Sequence, residues 1–380
     1  MIVVAGHVAL DIIPKLEHAV DWRPGSLYEV GPATLSIGGA VGNVAHVLSA
    51  LGQAVRWLGP VGDDAFARVV REMLAERASL PADAPSQGVL ITVPTAATSY
   101  TVVVSPPEID RVFLHHPGAN DAFGGLELRS GLAELAAREP QLLDGAFLHV
   151  GYPPVMAAIY EDGGHAFAAA LAWAREQGMT VSLDTAMPDP QGQAARVDWN
   201  AFLRHVLPNV DLFAPSWGDL AAMLPDLPET PDRDTLVRTA NAFLAMGAGA
   251  VLFKLGHRGA YLRTAHGLRG GSHWSDRELL SPSFVVEAIG TTGAGDATIA
   301  GFLAAWQAGA TPEHAATVAT ATGACSVEGV NAGSSVPTLA GLEARLAAAW
   351  PRISAAWFGS TDVDTSGIVR GPSDARGGNA

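Results

Sequence analysis

Through most of this chain, short apolar runs alternate with longer stretches whose apolar residues return every three or four positions. The runs at 2–5, 54–58, 145–150, 180–184, 212–214 and 250–254 predict buried strands. Between them, 42–51, 65–75, 165–177, 233–246, 297–307 and 312–326 predict helices with one apolar face. Some boundaries are marked by chemistry: Gly52 stops the helix ending at Leu51, and Thr311-Pro312-Glu313 supplies an N-cap, an N1 proline and a first-turn acid. Strand–helix alternation of this kind predicts an α/β fold with a mostly parallel sheet covered on both faces. Residues 11–37 and 87–117 break the pattern. They are rich in Val, Thr, Ile and Tyr, with Pro and Gly turns, and are either plain insertions or a separate small β-structure. Residues 359–380 are dominated by Gly, Ser, Asp and Thr and read as a disordered tail.

Composition narrows the function classes. With 380 residues, 48% of them apolar, the chain can bury one large α/β core or two smaller ones. A formal net charge of -15 argues against nucleic acid or an anionic membrane as partner. Cys325 is the one cysteine, so no intrachain disulfide and no cysteine-based metal site is expected. The start, Met1-Ile2-Val3-Val4-Ala5-Gly6, lacks a basic signal region, and no run of about 18 apolar residues predicts a membrane span. The expectation is a cytoplasmic protein.

The chemistry concentrates at Gly290-Thr291-Thr292-Gly293-Ala294-Gly295-Asp296. A helix follows at once, with Ile299, Phe302, Leu303 and Trp306 on one face. Free backbone N–H groups and the positive end of the helix dipole therefore meet at residues 293–296, an arrangement that holds anions and phosphates above all. Asp296 in the same turn either favours the helix N-terminus or serves as a base beside a bound phosphate, which phosphoryl transfer to a hydroxyl requires.

This stretch resembles the second signature of the PfkB (ribokinase-like) sugar and nucleoside kinases. That family's pattern usually begins with Asp, where this chain has Gly290. Other segments resemble the family in the same order. Ser36-Ile37-Gly38-Gly39-Ala40-Val41-Gly42-Asn43 resembles the first signature, followed by Gly59-Pro60-Val61-Gly62-Asp63-Asp64. Gly6-His7-Val8-Ala9-Leu10-Asp11 ends the first strand, where ligands of doubly wound sheets bind. Gly118-Ala119-Asn120 resembles a short element near the sugar, and Lys254-Leu255-Gly256-His257-Arg258-Gly259 the nucleotide loop. Ser216-Trp217-Gly218-Asp219 stands where the family has Asn-x-x-Glu, and residues 320–337 resemble the adenine-pocket segment.

The resemblance, over residues 2 to about 345, implies a ribokinase-like three-layer α/β/α fold, with 1–350 as the kinase domain and 11–37 and 87–117 as a small β-sheet lid. It implies ATP-dependent phosphorylation of a hydroxymethyl group on a small-molecule sugar or sugar acid, with Mg2+. In catalysis Asp296 would be the base, with Gly293, Ala294 and Gly295 as the anion hole. Asp11, Gly38, Gly39, Asn43 and Asn120 would bind the acceptor. Lys254, Gly256, Gly259, Thr292, Ser216 and Asp219 would serve the nucleotide, with Trp217 as a candidate cover and Lys254 either a phosphate ligand or a strand cap. Gly290 and Asn331 put the family's monovalent-cation site in doubt, and Gly151-Tyr152-Pro153 stands where ribokinases proper carry a sugar-binding Glu. His7 reads as a packing or substrate-shaping residue. His115 and His116 are adjacent, so a lid role suits them better than a shared metal. A nucleoside kinase and a non-catalytic sugar or nucleotide sensor are the alternatives, and a homodimer through the lid is allowed.

Overall fold

In β1 (Ile2–Gly6) every residue is buried, yet alternate side chains leave in opposite directions, the period-two geometry of a strand. Ile2 and Val4 enter one apolar cluster, Val3 and Ala5 another. A strand with water on neither side has to sit in the middle of a three-layer structure. The computed structural model, which describes residues 1–18, 23–77, 87–106, 111–268, 271–330 and 332–375, has that architecture.

The other strands are β2 (Ala9–Pro14), β3 (Ala33–Gly38), β4 (Val55–Val61), β5 (Gly88–Thr92), β6 (Tyr100–Val104), β7 (Val112–His116), β8 (Phe147–Gly151), β9 (Thr180–Leu183), β10 (Leu212–Phe213), β11 (Ala250–Lys254), β12 (Ala260–Thr264), β13 (Glu278–Ser281) and β14 (Val369–Arg370). The main sheet runs β14-β13-β12-β11-β10-β9-β8-β1-β4-β5. It is parallel from β11 to β5 and ends in three antiparallel strands on the β14 side. The second, smaller sheet runs β3-β2-β6-β7 and is built from the segments expected to form the lid.

One face of the main sheet is covered by α1 (Gly39–Ala50) and α2 (Ala65–Arg77). On the other face lie α3 (Gly125–Arg138), α4 (Ala157–Tyr160), α5 (His165–Glu176), α6 (Trp199–Val206), α7 (Trp217–Met223) and α8 (Arg233–Ala245). The chain then returns to the first face with α9 (Ala294–Gln307), α10 (Pro312–Val327) and α11 (Leu339–Ala347). Among the described residues no helix is long and apolar enough to cross a membrane.

The fold class expected from the alternation is the one observed, with two corrections. The run after residue 87 is not all lid: β5 pairs in parallel with β4 and finishes the main sheet, so the second lid segment starts at Tyr100. The tail is not disordered over 359–375, and residues 376–380 lie outside the described residues. Arg352 bridges to Phe284, β14 adds to β13, and Asp374 is buried against Arg277 at 2.6 Å. Composition misled here because the segment brings few apolar side chains of its own. It is held by an edge strand, a buried ion pair and two buried apolar residues, Ile368 and Val369. Asp374→Ala would leave the fully buried Arg277 with Glu313 as its remaining carboxylate partner. We expect a stability loss of about 2–4 kcal/mol, read as a lower melting temperature in calorimetry. Unchanged melting would mean that the segment does not stay docked in solution.

Candidate active site

The carboxyl ends of β1, β8, β9 and β11 converge with the first turns of α1 and α9. Gly293 starts α9 in the left-handed region, φ 75, and no described side chain caps the helix. A Cβ there would lie 2.3 Å from Ala332 Cβ, so only glycine lets the chain turn into the helix at this point. The Ala294 amide donates to the Thr291 carbonyl at 3.3 Å, and the first-turn amides of Gly295 and Asp296 form a cradle that could hold an anion.

Asp296 is 4% exposed. Its Oδ2 accepts from Asn43 Nδ2 at 2.9 Å, which joins the two glycine-rich motifs across 253 residues. The Tyr152 hydroxyl donates to the same carboxylate, 2.7 Å from Oδ2 and 2.8 Å from Oδ1. Burial pushes the Asp296 carboxyl up, while Lys254, Tyr152 and Asn43 pull it back. Tyr152 itself is held well above its ordinary value by burial and by Asp296.

Lys254 ends β11 and donates to both oxygens of Asp184, each at 2.8 Å. Its Nζ stands 3.4 Å from where a Cβ on Gly295 would be, so the lysine lies beside the cradle. Burial raises the Asp184 carboxyl to about 7 against the pull of Lys254, and raises Asp219 as well. Lys254 thus acts on three mutually repelling carboxylates: Asp184, Asp219 and Asp296.

Asp11 lies in β2 with its carboxylate packed on the backbone of Gly38. A Cβ on Gly38 would come within 2.2 Å of Asp11 Oδ2, and one on Gly39 within 2.3 Å of His7 Nδ1. The two glycines therefore make room for the Asp11 and His7 side chains. His7 also meets His115 of the lid, Nε2 to Nε2 at 3.3 Å, and burial holds His7 well below the usual imidazole range. His115 is held to Thr101, whereas His116 packs on Tyr100, so the two histidines serve opposite faces of β7.

Several predicted residues have other partners. The Asn120 amide is fully buried and spent on the backbone N–H and C=O of Val8. It fixes the turn carrying His7 rather than facing the acceptor. Ser216 caps α7 by accepting from Asp219 N–H. Trp217 is buried, donates to the Pro228 carbonyl and packs on Phe253, so it does not cover a nucleotide. Gly256 and Gly259, φ 58 and φ 99, shape the tight turn from β11 to β12. The Thr292 hydroxyl accepts from Arg111, which reaches over from the lid. Asn331 lies outside the described residues.

The sequence reading missed Tyr152, Asp184 and Arg111 as site residues. Tyr152 and Asp184 directly follow strands β8 and β9, and the strand-end rule that points to Asp11 applies equally to them. Arg111 carries no such local signal.

The sequence profile of the pfkB family carbohydrate kinase matches residues 1–339. The chain belongs to this family. It is therefore a phosphotransferase of the carbohydrate-kinase class. This pfkB-family chain is 28% identical, over 337 residues, to the ATP-dependent ribose-1-phosphate kinase of Halopiger xanaduensis, covering 88% of this chain and 94% of that one. In structure it is similar to ribokinase from Thermotoga maritima (TM-score 0.63, 21% identity, 91% of this chain and 99% of that chain). It is also similar to Arabidopsis thaliana ribokinase complexed with ribose and ATP (TM-score 0.65, 19% identity, 90% and 97%). These structures share the ribokinase-like fold.

Proposed function

We propose that the protein transfers the γ-phosphoryl group of ATP to a hydroxymethyl group of a sugar or sugar acid. The observation that carries this is the buried Asp296 carboxylate, held by Tyr152 and Asn43 at the amide-rich start of α9. Asp296 takes the proton of the acceptor hydroxyl, that oxygen bonds to the γ-phosphorus, and the bond to the bridging oxygen breaks to release ADP. The amides of 293–296 face the charge on the transferring group. Asp11, Gly39 and Asn43 orient the acceptor, and His7 and His115 wall it.

Among the described residues no group of three or more His, Cys, Asp or Glu is arranged as a metal cage. The crowded carboxylates do fit a divalent ion that arrives on a nucleotide, because a hard cation relieves their mutual repulsion. Asp219 and Asp184 would hold Mg2+, which would neutralise charge on the triphosphate. The apolar surface of Leu35, Val112, Phe113 and Leu114 on the lid supports a homodimer through the lid.

ADP release should be measured with ATP against pentoses, hexoses, sugar acids, nucleosides and ribose 1-phosphate, the last because of the Halopiger relative. Stimulation by a sugar or sugar acid supports the proposal. Stimulation by nucleosides alone would replace the acceptor class, and no stimulation by any acceptor would overturn the reading.

Potassium is expected to leave the rate nearly unchanged. A hard cation draws much of its affinity from a carboxylate, and Gly290 supplies only a carbonyl. A Cβ at Gly290 would begin 2.7 Å from Nη2 of Arg111, so a guanidinium stands where a carboxylate side chain would start. Initial rates with potassium and with an organic cation, at equal ionic strength, test this. Activation of about tenfold or more would show that backbone carbonyls alone build the site.

A further inference from the structure

We propose that Tyr152 is the positioning residue of the catalytic carboxylate. With Asn43 it anchors Asp296 through Oδ2 and leaves Oδ1 to take the acceptor's proton. This rests on the phosphoryl-transfer reading above.

The hydrogen bonds separate the two oxygens. Oδ2 accepts from Asn43 and from Tyr152, whereas among the described residues Oδ1 accepts only from the shared tyrosine hydroxyl. One hydroxyl proton cannot serve both oxygens at full strength. When it settles on Oδ2, Oδ1 is open.

The backbone gives an independent reason. Along β8, Leu148 and Val150 face the cluster under α3 and α5, while Phe147 faces the α1–α9 side. Strand alternation would send residue 152 toward α3 and α5, away from Asp296. Tyr152 instead has φ 71 and ψ 45, a left-handed conformation costly for a side chain with a Cβ and disfavoured again by the proline that follows. That reversal brings the hydroxyl to Asp296. The turn is pinned by Val155 N–H on the Tyr152 carbonyl at 3.1 Å, and the ring lies 5.8 Å from His7. Packing alone does not call for such a conformation, and strain of this kind persists where the surroundings enforce it for a site.

The test is Tyr152→Phe, which keeps ring and turn and removes only the donor. A donor to a carboxylate favours its charged form, so losing it raises the proton affinity of Asp296. The base works deprotonated. The acid limb of kcat should therefore move up by about one pH unit, with kcat about tenfold lower on the acid side, and the gap should narrow as pH rises. KM for ATP should not change. Fluorotyrosine at position 152, a stronger donor, should move the limb the other way. In the folded protein without substrates, carbon-13 aspartate titration should show the Asp296 carboxyl, assigned through Asp296→Asn, shifted upward in Tyr152→Phe. A profile superimposable on wild type, or a uniform fall at every pH, overturns the proposal. If Asp296→Asn in the same series keeps its turnover, the phosphoryl-transfer reading itself fails. If only the Tyr152→Phe shift is missing, this inference alone fails.

Discussion

Asp296→Asn is expected to lower turnover by about two to four decades while ATP still binds, the usual contribution of a general base. The substitution keeps the volume of a side chain that is 4% exposed and removes its ability to accept a proton. The anion cradle is backbone and is unaffected. ATP affinity by calorimetry should stay close to wild type, and the melting temperature should change little. One cost is foreseeable: the new amide has to turn its oxygen toward Asn43 and Tyr152, which both donate to Asp296 in the native site. Stopped or single-turnover kinetics with saturating acceptor give the comparison. A variant within about threefold of wild type would remove Asp296 from proton transfer, because even a modest general base contributes about a hundredfold.

Lys254→Met is expected to damage both stability and turnover. The Asp184 carboxylate is 1% exposed and takes both its contacts at 2.8 Å from Lys254. Removing one partner of a buried pair leaves an uncompensated charge, at a cost of about 3–5 kcal/mol. Asp219 and Asp296 add to the repulsion felt by Asp184. The pH dependence follows from the sign of the shift. Burial already lifts the folded Asp184 carboxyl to about 7, above the unfolded value of 3.8, and losing Lys254 lifts it further. A carboxyl whose folded proton affinity is raised destabilises the fold once pH exceeds the unfolded value, and the penalty grows until pH passes the folded value. The melting deficit of Lys254→Met should therefore be larger at pH 8 than at pH 5. Adding Asp184→Asn should restore most of the stability but not the turnover, since the cradle then lacks its neighbouring cation. A single variant that melts like wild type at pH 8 would mean that Asp184 is not charged in the native protein.

The local parts of this protein are legible in the sequence alone. Helix α9 follows from its apolar face and the glycines ahead of it, and its first-turn acid follows from the same ten residues. Strands β1, β8 and β11 announce themselves as apolar runs because both sheet faces are covered. The periodicity does not single out helices α3, α4, α6, α7 and α11. The weak edges were not legible either. Strand β5 looked like lid, because a short Val- and Ile-rich run reads the same in either sheet. The C-terminal segment reads as unstructured because its anchors are few: Asp374, the short pairing of β14, and the two buried apolar residues Ile368 and Val369.

Chain order alone implied the layered α/β architecture, an anion cradle at residues 293–296 and a carboxylate beside it, since each depends on periodicity or on neighbours within a turn. Tertiary structure decided which groups meet that carboxylate. Asn43 and Tyr152 reach Asp296 across 253 and 144 residues, and Lys254 reaches Asp184 across 70. Those meetings depend on β1, β8, β9, β10 and β11 lying side by side with their carboxyl ends together, and on one left-handed residue turning a tyrosine to the opposite face. Strand order and a single backbone reversal are properties of the assembled sheet. No local pattern of residue types specifies them, because the energies that select them come from packing between segments far apart in the chain.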